Sequence, residues 1–201
     1  DKLALLNLAF KDQDFVYNGV RARTEWMGLQ LLSRGGFALN ASNNAGVVTV
    51  EFVGCGMPKE NKRVSTANWS NANAANGLQD IVDTLDDASL RGRDIKYVVM
   101  HTSDLILLCK QKSTSDTLKG WMNNTGKLTV TPESINMYLA TLPIPVRIVS
   151  VNSSVRYEDK NHMRKTVSPW ERGRVAFLED KQVGKIQYAP IAAEDSPTVR
   201  E

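Results

Sequence analysis

Residues 78–108, LQDIVDTLDDASLRGRDIKYVVMHTSDLILL, decide the fold class of this chain. Four apolar residues recur at the i, i+3, i+4 and i+7 positions of one helix face: Leu78, Ile81, Val82 and Leu85. Gly92 stands where that helix would end, and the apolar run 97–100 predicts a short buried strand. Thr102 or Ser103 can cap a further helix through Leu108. A helix, a strand and a second helix in this order predict a mixed α+β protein.

Upstream, the sequence predicts a long helix. Asp12 or Asp14 can cap it, and Gly35-Gly36 can end it. Its apolar positions lie at mixed spacings of three and four residues: Phe15, Val16, Val20, Met27, Leu31 and Leu32. We expect about five turns over residues 14–34, with Arg21, Arg23 and Arg34 on a solvated face.

The segment after this helix alternates between strand and loop signals. Residues 47–53 are β-branched and apolar between two glycine-containing turns, so they predict a strand. Residues 59–76 are polar around a single aromatic side chain, which predicts a long loop anchored by a buried Trp69.

The last third is predicted to be rich in strands. Thr131-Pro132-Glu133 has the residues that open a helix, which would run through Leu139 and end at Pro143 and Pro145. Three runs read as strands, namely residues 146–149, 155–157 and 174–178. Residues 179–182 then predict a hairpin turn, with a return strand over 183–188.

The totals describe an ordinary folded protein. The chain has 201 residues, 42% of them hydrophobic and 23% charged, with a formal net charge of +3, which excludes disordered and disulfide-dense classes. Its apolar runs are too short for a membrane helix. Cys55 and Cys109 are expected to be reduced thiols. The first residues carry neither an initiator Met nor a signal-peptide pattern, which predicts a fragment of a longer product.

Few residues indicate catalysis. His101 and His162 are the only histidines, and a small hydrolase using His101 with Asp104 is one alternative. The chain lacks a Gly-x-Ser-x-Gly motif and a Cys-x-x-Cys motif. Four acidic residues on the predicted helix resemble a solvated face more than a metal site: Asp80, Asp83, Asp86 and Asp87. We therefore expect no catalytic, cofactor-binding or metal-binding residues.

Three basic segments are expected to be solvated loops, namely residues 59–63, 110–119 and 164–165. They lack the interleaved aromatic residues of a groove for single-stranded nucleic acid. Because phosphate contacts require only positive charge, these segments are also candidates for non-specific contact with DNA.

Four stretches, in order, resemble the lambda-type phage major capsid proteins, the phage major capsid protein E family. The first is Arg23-Thr24-Glu25-Trp26-Met27 with Leu31-Leu32-Ser33-Arg34-Gly35-Gly36, where this chain has Gly36 in place of the family's lysine. The second is Val50-Glu51-Phe52-Val53-Gly54 with Pro58, Asn61 and Trp69-Ser70. The third runs from Leu78 through Gly92 to Met100. The fourth comprises Leu142-Pro143, Val149 to Val151, Tyr157, Trp170, Gly173 to Leu178, Val183-Gly184, Tyr188-Ala189 and Glu194.

The resemblance spans about residues 15–195 and implies the Hong Kong 97-like capsid fold, truncated at both ends. Residues 1–100 would belong mainly to the peripheral domain, with the spine helix at 14–34. Residues 101–170 would belong mainly to the axial domain, and residues 171–201 would return towards the peripheral domain. Trp26, Trp121 and Trp170 are candidate contact residues, although we expect each to lie in the core.

The implied function is structural and not enzymatic. Copies of the chain would form hexamers and pentamers of an icosahedral phage or prophage shell, assembled in the bacterial host cytoplasm and enclosing double-stranded DNA through non-specific contacts. Scaffold, decoration and portal proteins are implied partners, and a membrane is not. An encapsulin-like compartment, which shares the fold and encloses cargo enzymes, is the other structural alternative.

Overall fold

A computed structural model describes residues 2–40, 51–158 and 163–185 and confirms the mixed α+β class. The helices are α1 (Lys2–Arg34), α2 (Gly77–Leu90), α3 (Thr102–Lys110), α4 (Lys112–Met122) and α5 (Pro132–Ala140), with a 3₁₀ turn at Lys59–Asn61. The strands are β1 (Gly36–Leu39), β2 (Glu51–Gly54), β3 (Tyr97–His101), β4 (Arg147–Val151), β5 (Val155–Glu158), β6 (Arg164–Val167) and β7 (Val175–Leu178).

A three-stranded sheet in the order β4-β3-β7 forms the centre of the fold. β3 pairs in parallel with β4, so that Val98 lies opposite Ile148, and antiparallel with β7, where Val98 lies opposite Phe177. Its apolar run is buried, as predicted. The helices add most of the remaining core: Leu78, Ile81, Leu85, Leu105, Leu108, Leu118, Ile135 and Leu139.

The end of the long helix was predicted correctly and its start was not. α1 ends at Arg34, where Gly35 adopts a φ of 76° and its N–H donates to the Leu31 carbonyl at 2.8 Å. Asp12 and Asp14 do not begin it, because the helix already runs from Lys2. Residues 3–13 contain neither proline nor glycine and consist mostly of good helix formers, so nothing in them stops the helix.

β1 and β2 form an antiparallel pair directly after α1, with Gly36 opposite Gly54. The predicted strand 47–53 is confirmed over residues 51–53, and residues 47–50 lie outside the described part of the chain. β1 was not predicted, because its four residues follow the helix stop without a turn signal between them.

Two segments predicted as loops are regular structure. Residues 112–122 form α4, although only Thr114 and Leu118 of this helix are buried, which leaves too short an apolar stripe to recognise. Residues 164–167 form β6, which pairs with β5. A polar strand that pairs with a single neighbouring strand shows little alternation of apolar and polar residues, so it is hard to recognise from sequence.

Three helix ends have defined caps, two of which follow the usual residue preferences. Thr131 caps α5 in a capping box with Ser134, and Pro132 occupies the first turn, as predicted. α2 ends in a Schellman motif in which Gly92, at a φ of 74°, donates to the Ser89 carbonyl. The cap of α3 is His101, so the prediction of Thr102 or Ser103 was wrong.

The C-terminal predictions have mixed outcomes. The strands predicted near residues 146, 155 and 174 correspond to β4, β5 and β7. Residues 183–185 of the predicted return strand are not a strand, and residues 186–188 lie outside the described chain. The three-range domain division remains a prediction. The central sheet takes one strand from each range. Among the described helices, none is both long enough and apolar enough to cross a membrane.

Candidate functional site

The C-terminal end of α1 is joined to the segment that precedes β7. The Gln30 side-chain amide, which is buried, donates a hydrogen bond of 2.6 Å to the Pro169 carbonyl. Next to it, the Glu171 N–H donates to the Ser33 hydroxyl at 3.4 Å. An ion pair of 3.5 Å between Arg34 and Glu171 is half exposed, so it adds little stability. We call these contacts the helix joint.

Beside the joint, aromatic side chains attach the β1–β2 pair to α1. The Trp26 ring meets the buried Phe37 edge to face at 5.9 Å, and the Arg23 guanidinium lies 4.5 Å from the centre of the Trp26 ring. Burial lowers the pKa of Arg23, and its Nη2 is buried with no hydrogen-bond partner among the described residues. The Trp26 ring therefore contacts both a cation and a core aromatic residue.

Further towards its N-terminus, α1 exposes large apolar side chains. Val16 and Tyr17 are each 64% exposed, and Val20 is 56% exposed. Val16 and Val20 are four residues apart, so they lie on the same helix face. Exposed apolar residues grouped on one helix form a candidate contact surface. We call Val16, Tyr17 and Val20 the helix patch.

Two smaller apolar surfaces lie elsewhere. Phe52 of β2 is 72% exposed. Trp121 of α4 is 37% exposed and meets Tyr138 of α5 edge to face at 5.9 Å, and Met137, the residue before Tyr138, is also exposed. The prediction that all three candidate tryptophans are core residues is confirmed for Trp170, which is 1% exposed, and is wrong for Trp121; Trp26 is only half-buried.

His101 and Asp104, the pair of the hydrolase alternative, both make structural hydrogen bonds. The Ser103 N–H donates to Nδ1 of His101 at 3.0 Å, which caps α3. The Gly173 N–H donates to the Asp104 carboxylate at 2.8 Å, which fixes the turn before β7. Both side chains are buried. His162 lies outside the described residues.

The acidic face of α2 holds the preceding loop in place. The Trp69 indole N–H and the Thr66 hydroxyl donate to the Asp80 carboxylate at 3.1 Å and 2.8 Å. Trp69 is half-buried and packs against the core, so the predicted anchor is confirmed, although the ring is not fully covered. Asp87 pairs with Arg91 at 2.9 Å. Within the described ranges, His, Cys, Asp and Glu side chains form no group of three suited to a metal ion.

The three basic segments lie far apart in the sequence and in different kinds of structure. Residues 59–63 include the 3₁₀ turn, and Arg63 donates from there to the Asp83 carbonyl at 2.8 Å. Residues 110–119 lie at the end of α3 and in α4, and residues 164–165 lie in β6. Cys55 is an exposed thiol and Cys109 a half-buried one, and neither forms a disulfide.

The sequence did not reveal the helix joint or the side chains that the sheet brings together at the start of β3. The helix joint depends on the return of the chain after residue 168, and the side chains at the start of β3 depend on its pairing with β4 and β7. No local pattern in the sequence shows either arrangement. The chain matches no protein-family model and has no significant match among curated proteins.

Proposed function

We propose that this chain is a shell subunit of an icosahedral capsid of the lambda-type, Hong Kong 97-like class, which assembles from copies of itself and encloses double-stranded DNA. The helix patch is the observation that carries the proposal. The sequence resemblance supplies the class, and the order of elements supports it: a long helix, a two-stranded β pair and a mixed sheet with helices.

α1 is about 50 Å long at 1.5 Å per residue. Its described contacts with the rest of the chain gather near its C-terminal end, at Phe37 and at the helix joint, whereas Val16, Tyr17 and Val20 are exposed. Helices in proteins take most of their stability from packing one face against a neighbour. Repeated copies of the subunit would supply such a neighbour, and weak contacts repeated under symmetry close a shell.

Negative-stain microscopy and light scattering on the full-length gene product, expressed alone and with its neighbouring genes, test this function. We expect shells of roughly tens of nanometres, because hexamers and pentamers of one subunit form a closed container. A product that stays a monomer or dimer under both conditions would refute the proposal.

A pair of variants tests the helix patch itself. Val16→Gln with Val20→Gln removes exposed apolar surface while keeping a helix-forming residue at each site. If assembly buries both side chains, the concentration needed for assembly rises by about tenfold or more, since each buried Val contributes on the order of 1.5 kcal/mol. Val64→Gln with Val183→Gln replaces two other exposed valines and serves as the control.

The contents of the shells separate capsid from compartment. Nuclease-protected DNA inside them supports a capsid, whereas a constant protein cargo without DNA supports the encapsulin-like alternative. The structural contacts of His101 and Asp104 give no support to the hydrolase alternative. If the chain turns over ester or peptide substrates, and this activity disappears in a folded His101→Ala variant, the hydrolase alternative would be supported instead.

A further inference from the structure

The end of the sheet opposite His101 gathers basic side chains from three separate parts of the chain. The Lys96 N–H donates to the Leu178 carbonyl at 2.9 Å, and the Arg147 N–H donates to the Lys96 carbonyl at 3.0 Å. Tyr97 pairs with Arg147 on one side and with Leu178 on the other. Lys181 follows three residues after Leu178. Backbone pairing therefore fixes Lys96 and Arg147 next to each other and brings Lys181 close to them.

These side chains border an open surface pocket of about 250 Å³. Its lining contains three cationic side chains, one tyrosine and a short apolar wall: Lys96, Arg147, Lys181, Tyr97, Ala140, Pro145 and Val146. Among the described residues of this lining there is no carboxylate. The volume is roughly eight times that of one liquid water molecule, and it is smaller than the roughly 300–1,000 Å³ of pockets for drug-sized ligands. A small anionic group fits these dimensions.

The carboxylates nearest in sequence leave most of this charge available. Asp94 pairs with Lys96 at 3.2 Å, but both side chains are largely exposed, so the pair is weak. Glu179 pairs with Arg93 at 3.5 Å, and Asp180 accepts from the Lys181 backbone N–H at 2.6 Å. Among the described residues, no carboxylate lies within 4 Å of the Arg147 guanidinium or the Lys181 ammonium.

The aromatic ring of Tyr97 helps to place one of the cations. The Lys181 ammonium lies 5.8 Å from the centre of this half-buried ring, within the range of a cation–π contact. Arg147 offers a planar fork of N–H donors that matches two oxygens of a phosphate, whereas lysine acts as a compact point charge. The planar guanidinium of Arg147 and the ammonium groups of Lys96 and Lys181, placed around one small pocket, can together recognise a phosphate group.

We propose that this pocket binds a phosphate group, either one in the backbone of DNA or one in a free polyphosphate. Most of its lining residues are exposed, so a phosphate that remains part of a larger molecule can enter. The site is complete within one copy of the chain and goes beyond the shell function, because it does not require assembly.

Binding of inorganic triphosphate and of a short duplex DNA to the full chain tests the site. Arg147→Gln with Lys181→Gln removes two pocket charges, and Arg172→Gln with Lys127→Gln removes two exposed charges elsewhere, outside the three basic segments. We expect the dissociation constant for triphosphate, DNA or both to rise about tenfold or more in the pocket variant and about twofold at most in the control. Matching circular dichroism spectra and melting temperatures show that both variants are folded.

The two probes identify the source of the phosphate. If the pocket variant binds triphosphate more weakly but DNA as well as before, the natural ligand is a free polyphosphate. If the pocket variant binds DNA more weakly, whether or not triphosphate binding also falls, the phosphate backbone of DNA reaches the pocket. For DNA, the slope of the logarithm of affinity against the logarithm of salt concentration would also fall by about one to two. Equal weakening in both variants would overturn the proposal, because it would reveal general electrostatics only. Absence of triphosphate and DNA binding by the unmodified chain at low salt would overturn it as well.

Discussion

The Gln30 side chain and the Pro169 carbonyl, 139 residues apart in sequence, are joined by a hydrogen bond of 2.6 Å that is buried. This bond ties α1 to the segment that leads into the central sheet. A buried carbonyl that loses its donor keeps the full cost of leaving water, so the bond matters more when it is broken than when it forms.

Gln30→Met tests this bond, because methionine has a similar length and no N–H donor. We expect the free energy of unfolding of the unassembled chain, measured by urea denaturation, to fall by about 1–3 kcal/mol. Gln79→Met, at an exposed position of α2, should change it by about 0.5 kcal/mol or less. Equal losses in the two variants would show that the Gln30 amide has no special role.

His101 acts as the cap of α3, and a substitution pair distinguishes this role from catalysis. His101→Ala should lower the free energy of unfolding by about 0.5–2 kcal/mol, because the Ser103 N–H loses its acceptor. His101→Asn supplies a side-chain oxygen that can accept the same bond, so it should recover most of the loss. Thermal melts of the two variants provide the comparison, and identical melting temperatures would contradict the capping role.

Replacing two glycines by alanine should change the free energy of unfolding in opposite directions. Gly92 has a φ of 74° in the turn that ends α2, so Gly92→Ala should destabilise the protein by about 1–2 kcal/mol. Gly120 lies inside α4, and a Cβ added there would meet no atom within 4 Å. Gly120→Ala should therefore stabilise the protein by about 0.4–1 kcal/mol. Urea denaturation measures both changes, and a shared sign would contradict the assignment of the two backbone conformations.

The two thiols should differ in reactivity. Burial, with a further contribution from the negative charge of Glu133, raises the pKa of the Cys109 thiol. A higher pKa leaves less of the reactive thiolate at pH 8, and Cys109 is also less accessible than the exposed Cys55. Iodoacetamide labelling followed by mass spectrometry should therefore show that Cys55 is modified first. The difference between the labelling rates of the two thiols should become smaller as the pH rises.

Glu133→Gln supplies the control for this labelling experiment. It removes the neighbouring charge, so the pKa of Cys109 should fall and its labelling at pH 8 should become faster. Cys55 should be unaffected. Labelling of both thiols at the same rate in the unmodified chain would contradict the difference in their surroundings.

The elements that could be predicted are those whose local pattern is complete. α2 has four apolar residues at helical spacing, and α5 carries Thr131 and Pro132 at its start. α4 was missed because burying only Thr114 and Leu118 leaves no stripe to read. The cap of α3 was misassigned because histidine is outside the preferred capping residues, yet its ring nitrogen accepts as an oxygen would.

The candidate sites were less accessible to sequence reasoning than the fold. Lys96, Arg147 and Lys181 are ordinary polar residues at the ends of strands, and only the parallel and antiparallel pairing of β3 places them around one cavity. The helix patch was partly visible, since Val16 and Val20 fit the predicted helix, but their exposure depends on which part of α1 the rest of the chain covers.

The central position of β3 has a consequence for how the protein folds during synthesis. Phe177 pairs with Val98 only after 79 further residues have been made, which takes roughly 4–16 s at typical bacterial and eukaryotic translation rates of about 5–20 residues per second. During that time one edge of the nascent β3 strand lacks its partner, and an unpaired apolar edge can pair with another chain. Slow ribosomes would lengthen this exposed interval, so the yield of folded protein should depend on the speed of translation between residues 101 and 178.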